Sequence, residues 1–168
     1  MTEAVAGVDL VEWQLRVAAG EALPLSQDAL GAPRGHAIEA RIYAESPENG
    51  FLPAGGRVLH WAPPPGAATF EPGAALRVDS GVQRGDLIGV HYDPMIAKVV
   101  ARGADRAAAL AALGAALGQL QVGGLPTNID FVQRITQHPE FQAVRWEGTA
   151  PLGPPCCSVL RCQLGRRS

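Results

Sequence analysis

The stretch LRVDSGVQRGDLIGVHYDPMIAKVV, Leu76 to Val100, combines strand-like alternation, tight-turn chemistry and a polar constellation. Arg77 and Asp79 share one face of a period-2 strand and Leu76 and Val78 the other, so one side can be buried while a guanidinium is presented from the opposite side. Gly81 ends the run, and Arg84-Gly85-Asp86 reads as a turn before Leu87 to His91 resume as a second short strand. Tyr92-Asp93-Pro94 interrupts again, because proline lacks the ladder donor and biases Asp93 to an extended backbone. Met95 to Val100 then closes a predicted small meander.

Outward from this centre, the chain reads as strands and helices in an α+β order. Asp9 is placed to cap a first helix, with Glu12 as its capping-box partner, Val8 against Trp13 as a staple, and Gly20 as the stop. Residues 21 to 35 hold two prolines and two glycines and read as a connector with one helical turn near Ser26 to Leu30. His36 to Tyr43 alternates, Ile38, Ala40 and Ile42 against Glu39, Arg41 and Tyr43, which predicts a half-buried strand. Arg57 to Trp61 predicts another, followed by the Pro63-Pro64-Pro65 loop. Leu110, Leu113, Leu117 and Leu120 recur at helical spacing from a start near Asp105. Gly114 and Gly118 inside that helix predict a close approach to the sheet. Thr127 and Asp130 read as a second capping box, opening a helix with Ile129, Val132 and Ile135 on one face.

The totals narrow the function classes. With 168 residues, 47% hydrophobic and 18% charged, the chain can bury one modest core. A net charge of -2 gives no electrostatic reason to expect a nucleic acid or an anionic membrane as partner. No charge occurs between Arg106 and Asp130, but glycines, glutamines and Pro126 break that run, so a buried helix and a loop are expected rather than a membrane span. The first twenty residues carry Glu3, Asp9 and Glu12 against a single Arg16, the reverse of a mitochondrial presequence, so no targeting segment is expected. His36, His60, His91 and His138 are widely separated, and Cys156, Cys157 and Cys162 lack a second spaced pair, so no metal site is expected.

The pattern RVDSG followed by HYDPMIAK resembles the C-terminal domain of biotin carboxylase in biotin-dependent acyl-CoA carboxylases. GVDLVEWQLRVAAG at Gly7 to Gly20, GHAIEARIYAESPENGFLP at Gly35 to Pro53 and VGGLPTNIDF at Val122 to Phe131 agree in order and spacing. Their wording is most similar to the biotin-bearing alpha subunits of methylcrotonoyl-CoA carboxylases. The resemblance covers residues 2 to 143 and implies an antiparallel sheet of rudiment single-hybrid type with packed helices. Residues 1–32 would then be the end of an ATP-grasp domain with its connector, 33–143 the biotin carboxylase C-terminal domain, and 144–168 a divergent, disordered tail.

By the same resemblance, Arg77 matches the arginine that faces the ureido group of biotin, where its charge stabilises the enolate that attacks carbon dioxide. The residues alone leave open a surface ion pair with Asp79. Arg106 matches a position near the dimer interface of some members; a solvated helix-start arginine is the alternative. The implied cofactors are biotin, ATP and Mg or Mn, and the implied partners are the biotin carboxyl carrier domain, the carboxyltransferase subunit and a second copy in a homo-oligomer. The implied compartment is the mitochondrial matrix. No glycine loop that would cradle phosphates precedes a helix, and Lys98 is the sole lysine. The expectation is therefore a chain that is inactive alone, with a non-catalytic module that docks on the full-length carboxylase as the alternative.

Overall fold

The computed structural model describes residues 1–143 and the backbone of 160–163. In chain order the elements begin with α1 (Thr2–Ala6), α2 (Leu10–Ala18) and α3 (Gln27–Leu30), then β1 (His36–Tyr43) and β2 (Glu45–Ser46). After a short 3-10 turn come β3 (Leu52–Pro53), β4 (Gly56–Arg57), β5 (His60–Ala62), β6 (Leu76–Ser80), β7 (Leu87–Ile88) and β8 (Met95–Gly103). The remainder is α4 (Arg106–Gln119), β9 (Gln121–Gly123), α5 (Ile129–Gln137), α6 (Pro139–Gln142) and β10 (Leu160–Gln163).

The main sheet is antiparallel, in the order β10-β1-β8-β6. One face carries Ile38, Ala40, Ile42, Val78, Val99 and Ala101, which pack with Leu113 and Leu117 of α4 and Val132 and Ile135 of α5 in one hydrophobic cluster. Alternation along β1 and the helical spacing of the leucines specify this contact. The opposite face is partly closed by α1, whose Ala4 and Val5 cluster with Ala37 and Val100.

That second cover changes the expected status of β1. The strand is buried through both faces from His36 to Ala40, not half-buried, because α1 lies over Ala37 and β1 sits between β8 and β10. The expected meander is also corrected. β6 and β8 pair with each other, whereas β7 leaves them and pairs with β4. The strand expected over Arg57 to Trp61 is split between β4 and β5, which pair with β7 and β9. Val58, fully buried between the two, donates its N–H to Asp86 O and accepts from Gly85 N, so the turn after β6 is tied here. Within 144–168, read from sequence as a tail, Leu160–Gln163 form a strand paired with Ala37 to Ala40. The rest of that segment, with Cys156 and Cys157, lies outside the described residues.

Helix starts follow the sequence where a cap stands alone. Asp9 Oδ1 accepts from Val11 N and Glu12 N at 2.9 Å each, and Asp105 Oδ1 accepts from Ala108 N at 2.8 Å. Ser26 caps α3 through Ala29 N. Thr127 and Asp130 do not form a capping box; Asn128 is the N-cap of α5 and its side chain makes no cap bond. Its amide is used elsewhere: Oδ1 accepts from Tyr43 N at 2.9 Å and Nδ2 donates to Arg41 O at 3.2 Å, so this fully buried side chain completes the end of β1. Gly114 and Gly118 face α5 and not the sheet, their nearest neighbours being Thr136 Oγ1 and Gln133 Nε2. The tight approach of α4 to the sheet falls at Gly103, where a Cβ would collide with Ala109 N.

Candidate functional site

Strand pleat places Arg77 and Asp79 on the same face as Glu39, Arg41 and Lys98. Glu39 and Arg77 both stand opposite Val100 of β8, and Arg41 and Asp79 both stand opposite Lys98, so two cross-strand rows run side by side. α1 lies against this face and adds Glu3. Arg77 Nη1 donates to Glu3 Oε2 at 3.0 Å, with side-chain exposures of 11% and 16%. Arg77 Nε lies 3.0 Å from Asp79 Oδ2, but its N–H is not aimed at that oxygen, so the contact is an ion pair and the buried Nε keeps an unused donor.

Asp79 is held from its other side as well, because Oδ1 accepts the backbone N–H of Phe70 at 3.0 Å. Phe70 has a left-handed φ of 54° and is exposed. On β1, Arg41 Nε donates to Glu39 Oε1 at 3.1 Å. The guanidinium of Arg77 is thus fixed between two carboxylates from different elements, which orients it more firmly than an exposed pair would. The surface ion pair left open by the sequence is partly realised, but in a nearly buried setting and with a second partner, Glu3, that sequence spacing had no means to bring to Arg77.

Arg106, the candidate interface residue, lies in a different place. At the start of α4 its Nη2 donates to Phe141 O at 2.6 Å and its guanidinium sits 4.9 Å from the centroid of the Phe141 ring. It lines a groove of about 620 Å³ with Leu110, Gly114, Thr136 and Gln142. Arg106 is therefore packed against α6 and not simply solvated. Arg77 and Arg106 belong to separate surfaces, one on the β6 side of the sheet and the other between α4 and α6.

His36 at the start of β1 is buried, and its Nε2 has no hydrogen-bond partner. Burial first, and the Arg106 charge second, hold its imidazole below the ordinary 6.5, with Asp105 opposing. Glu45 is pushed above its ordinary 4.5 by burial, opposed by a hydrogen bond with Asn128. Neither signal was legible in the sequence, since both depend on which distant residues close over the group. No described helix is long and apolar enough to cross a membrane.

Comparison with known proteins adds to this geometry. A family model described as the biotin carboxylase C-terminal domain matches residues 39–149. The mitochondrial methylcrotonoyl-CoA carboxylase subunit alpha of Rattus norvegicus is 50% identical over 143 residues, covering 85% of this chain and 19% of the rat protein. Among solved structures, the biotin carboxylase domain of a thermophilic 2-oxoglutarate carboxylase bound to bicarbonate superposes with a TM-score of 0.79 at 32% identity, over 86% of this chain and 31% of that one. The biotin carboxylase domain dimer of the Hydrogenobacter thermophilus 2-oxoglutarate carboxylase, in complex with MgADP, ADP and bicarbonate, gives 0.77 at 33% identity, over 84% of this chain and 30% of that one. The chain thus spans about one fifth of the length of its curated relative.

Proposed function

Because the chain belongs to the biotin carboxylase C-terminal domain family, we propose that it supplies the arginine-bearing wall of a biotin-carboxylation site in an acyl-CoA carboxylase of the methylcrotonoyl type. The observation that carries this reading is Arg77: a nearly buried cation, clamped by Glu3 and Asp79, whose Nε retains a donor that no protein acceptor uses. A ureido oxygen can accept from guanidinium N–H groups in fixed geometry, and the 11% of the Arg77 side chain that stays exposed leaves an edge for such a contact. When bound, biotin supplies the nitrogen that carries the carboxyl group. Arg77 supplies a fixed positive charge where negative charge develops on the ureido oxygen, and the two carboxylates hold it there without reorganisation.

ATP, bicarbonate and Mg or Mn belong to the parent reaction in this proposal, as do the biotin carboxyl carrier domain and the carboxyltransferase subunit as partners. Residues 1–32 belong to the end of the ATP-grasp region and 33–143 to the C-terminal domain. The mitochondrial matrix is the proposed compartment, on the strength of the mitochondrial relative. The polypeptide of residues 1–168 contains no phosphate-cradling loop ahead of a helix and is proposed to be inactive alone. The test is ATP hydrolysis by purified 1–168 with free biotin, bicarbonate and Mg. No biotin-dependent rate is expected, and a rate abolished by Arg77→Ala would overturn the claim of inactivity while supporting the role of Arg77.

A second reading, a module that docks on a full-length carboxylase, is favoured by α2. None of its residues is buried, Val11 and Leu15 are 62% and 69% exposed, and Leu10, Trp13, Val17 and Leu23 line an apolar cleft of about 460 Å³. The groove beside Arg106 is the proposed homo-oligomer contact. Co-purification of tagged 1–168 with the full-length alpha subunit is expected in this reading; recovery of the chain free of it would count against it.

A further inference from the structure

Beside Arg77 lies a cation whose chemistry the biotin reading does not use. Lys98 is half-buried at the middle of the sheet, with Arg41 opposite it on β1 and Asp79 opposite it on β6. Directly opposed residues of antiparallel strands bring their Cβ atoms to about 5 Å, where like charges repel and unlike charges pair. Asp79 would be the natural partner of the lysine. Its Oδ1 instead accepts from Phe70 N and its Oδ2 pairs by charge with Arg77, and no ion pair forms between Lys98 and any carboxylate among the described residues. Glu39 is likewise engaged by Arg41. Two carboxylates serve Arg77 and one serves Arg41, while the lysine wedged between those residues has none.

The same lysine lines a cleft of about 140 Å³ with Phe70, Asp79, Ser80, Gly81 and Met95. Small-molecule sites for drug-sized ligands run from about 300 to 1,000 Å³, so this one is too small for a nucleotide or a whole cofactor. The cleft suits a single small oxyanion, or the oxyanion end of something larger. Lys98 is the one cation among the residues that line the cleft and makes no ion pair among the described residues, so its ammonium is the group there that can take up an anion.

The geometry points to an oxyanion-binding subsite formed by Lys98 in the cleft beneath Phe70. The ligand class is a phosphoryl or carboxylate group bound through charge-assisted hydrogen bonds to the lysine. This subsite does not depend on the assignment of Arg77 to biotin, because it rests on the Lys98 environment alone.

The test is an amide-shift titration of the 15N-labelled chain with inorganic phosphate and, separately, with acetate, at constant ionic strength. Saturable shifts at Phe70, Ser80, Gly81 and Lys98 are expected with one or both anions. Saturation with phosphate alone identifies a phosphoryl site, and saturation with acetate a carboxylate site. Lys98→Gln is expected to weaken binding by about tenfold or more, the usual loss for one charge-assisted hydrogen bond. Lys98→Arg, which keeps the cation, is expected to restore most of it, and this rescue separates the loss of a ligand contact from a loss of fold. Arg102→Gln removes a cation from the same face without touching the cleft and is expected to leave affinity within about twofold. Equal weakening by Lys98→Gln and Arg102→Gln would mean diffuse counterion attraction and overturn the proposal. So would the absence of saturable shifts at concentrations on the order of 50 mM, where even a millimolar site is filled.

Discussion

Arg77 Nη1 and Glu3 Oε2 meet at 3.0 Å across a sequence separation of 74 residues, and this one hydrogen bond fastens α1 to the edge strand of the sheet. Glu3 also accepts the N–H of Leu10 through Oε1, so the same carboxylate sets the approach of α2. Glu3→Gln keeps the shape but removes the charge, and a hydrogen bond to a charged group is worth about 1.5–3 kcal/mol. The variant is expected to lose about that much in urea unfolding. Arg77→Met should cost more, since it leaves Glu3 and Asp79 facing each other without their shared cation. A smaller loss for Arg77→Met than for Glu3→Gln would show that the clamp does not hold α1.

Asn128 is expected to be among the costliest polar side chains to remove. Its Oδ1 and Nδ2 serve Tyr43 N and Arg41 O at the end of β1, and it is fully buried. Asn128→Ala leaves both backbone groups without this partner, at about 1–3 kcal/mol for each buried unsatisfied group. Equilibrium unfolding should show the loss, and hydrogen exchange at the Tyr43 amide should rise more than at the mid-strand amide of Ile38.

The buried His36 and the half-buried Glu45 give stability opposite slopes with pH. His36 is held below 6.5 in the folded state by burial and Arg106, so the unfolded chain binds its proton more readily. The His36 contribution is complete above pH 6.5 and is lost as pH falls from there through the folded value. Glu45 is raised above 4.5 by burial, so its cost is absent below pH 4.5 and grows as pH rises through the folded value. Urea midpoints from pH 4 to 8 should show His36→Gln flattening the profile below pH 6.5. Glu45→Gln should raise the midpoint at pH 7 and leave it unchanged near pH 4. A Glu45→Gln midpoint that falls at pH 7 would count against the burial penalty.

Two glycines at different contacts of α4, Gly114 toward α5 and Gly103 at the sheet, should respond in opposite directions to alanine. At Gly114 the added Cβ meets only Thr136 Oγ1 at 3.8 Å, an ordinary contact, so Gly114→Ala is expected to stabilise by about 0.5–1 kcal/mol through helix propensity. At Gly103 the Cβ would collide with backbone atoms at the start of α4, and Gly103→Ala should shift the helix off the sheet and lower the thermal midpoint by several degrees. Equal effects at the two sites would mean that α4 does not sit where its contacts with β8 place it.

By itself the sequence determined the local grammar of this protein. The alternation of β1, the leucine spacing of α4, the Asp9 cap, the helix starts near Ser26 and Asp105 and the RVDSG strand all followed from periodicity and turn chemistry, which act over a few residues. Its motifs also carried the family, because ordered motifs survive in residue identity. What the tertiary structure alone decided is who meets whom. β7 left the expected meander for β4, α1 covered the second face of β1, and Asn128 abandoned a local cap for a bond 85 residues away. The setting of Arg77 was decided in the same way, by Glu3 from one end of the described chain and Asp79 from the next pleat of its own strand. Such partnerships are fixed by long-range packing, whose free energy belongs to the assembled core and leaves no period or spacing along the chain to read.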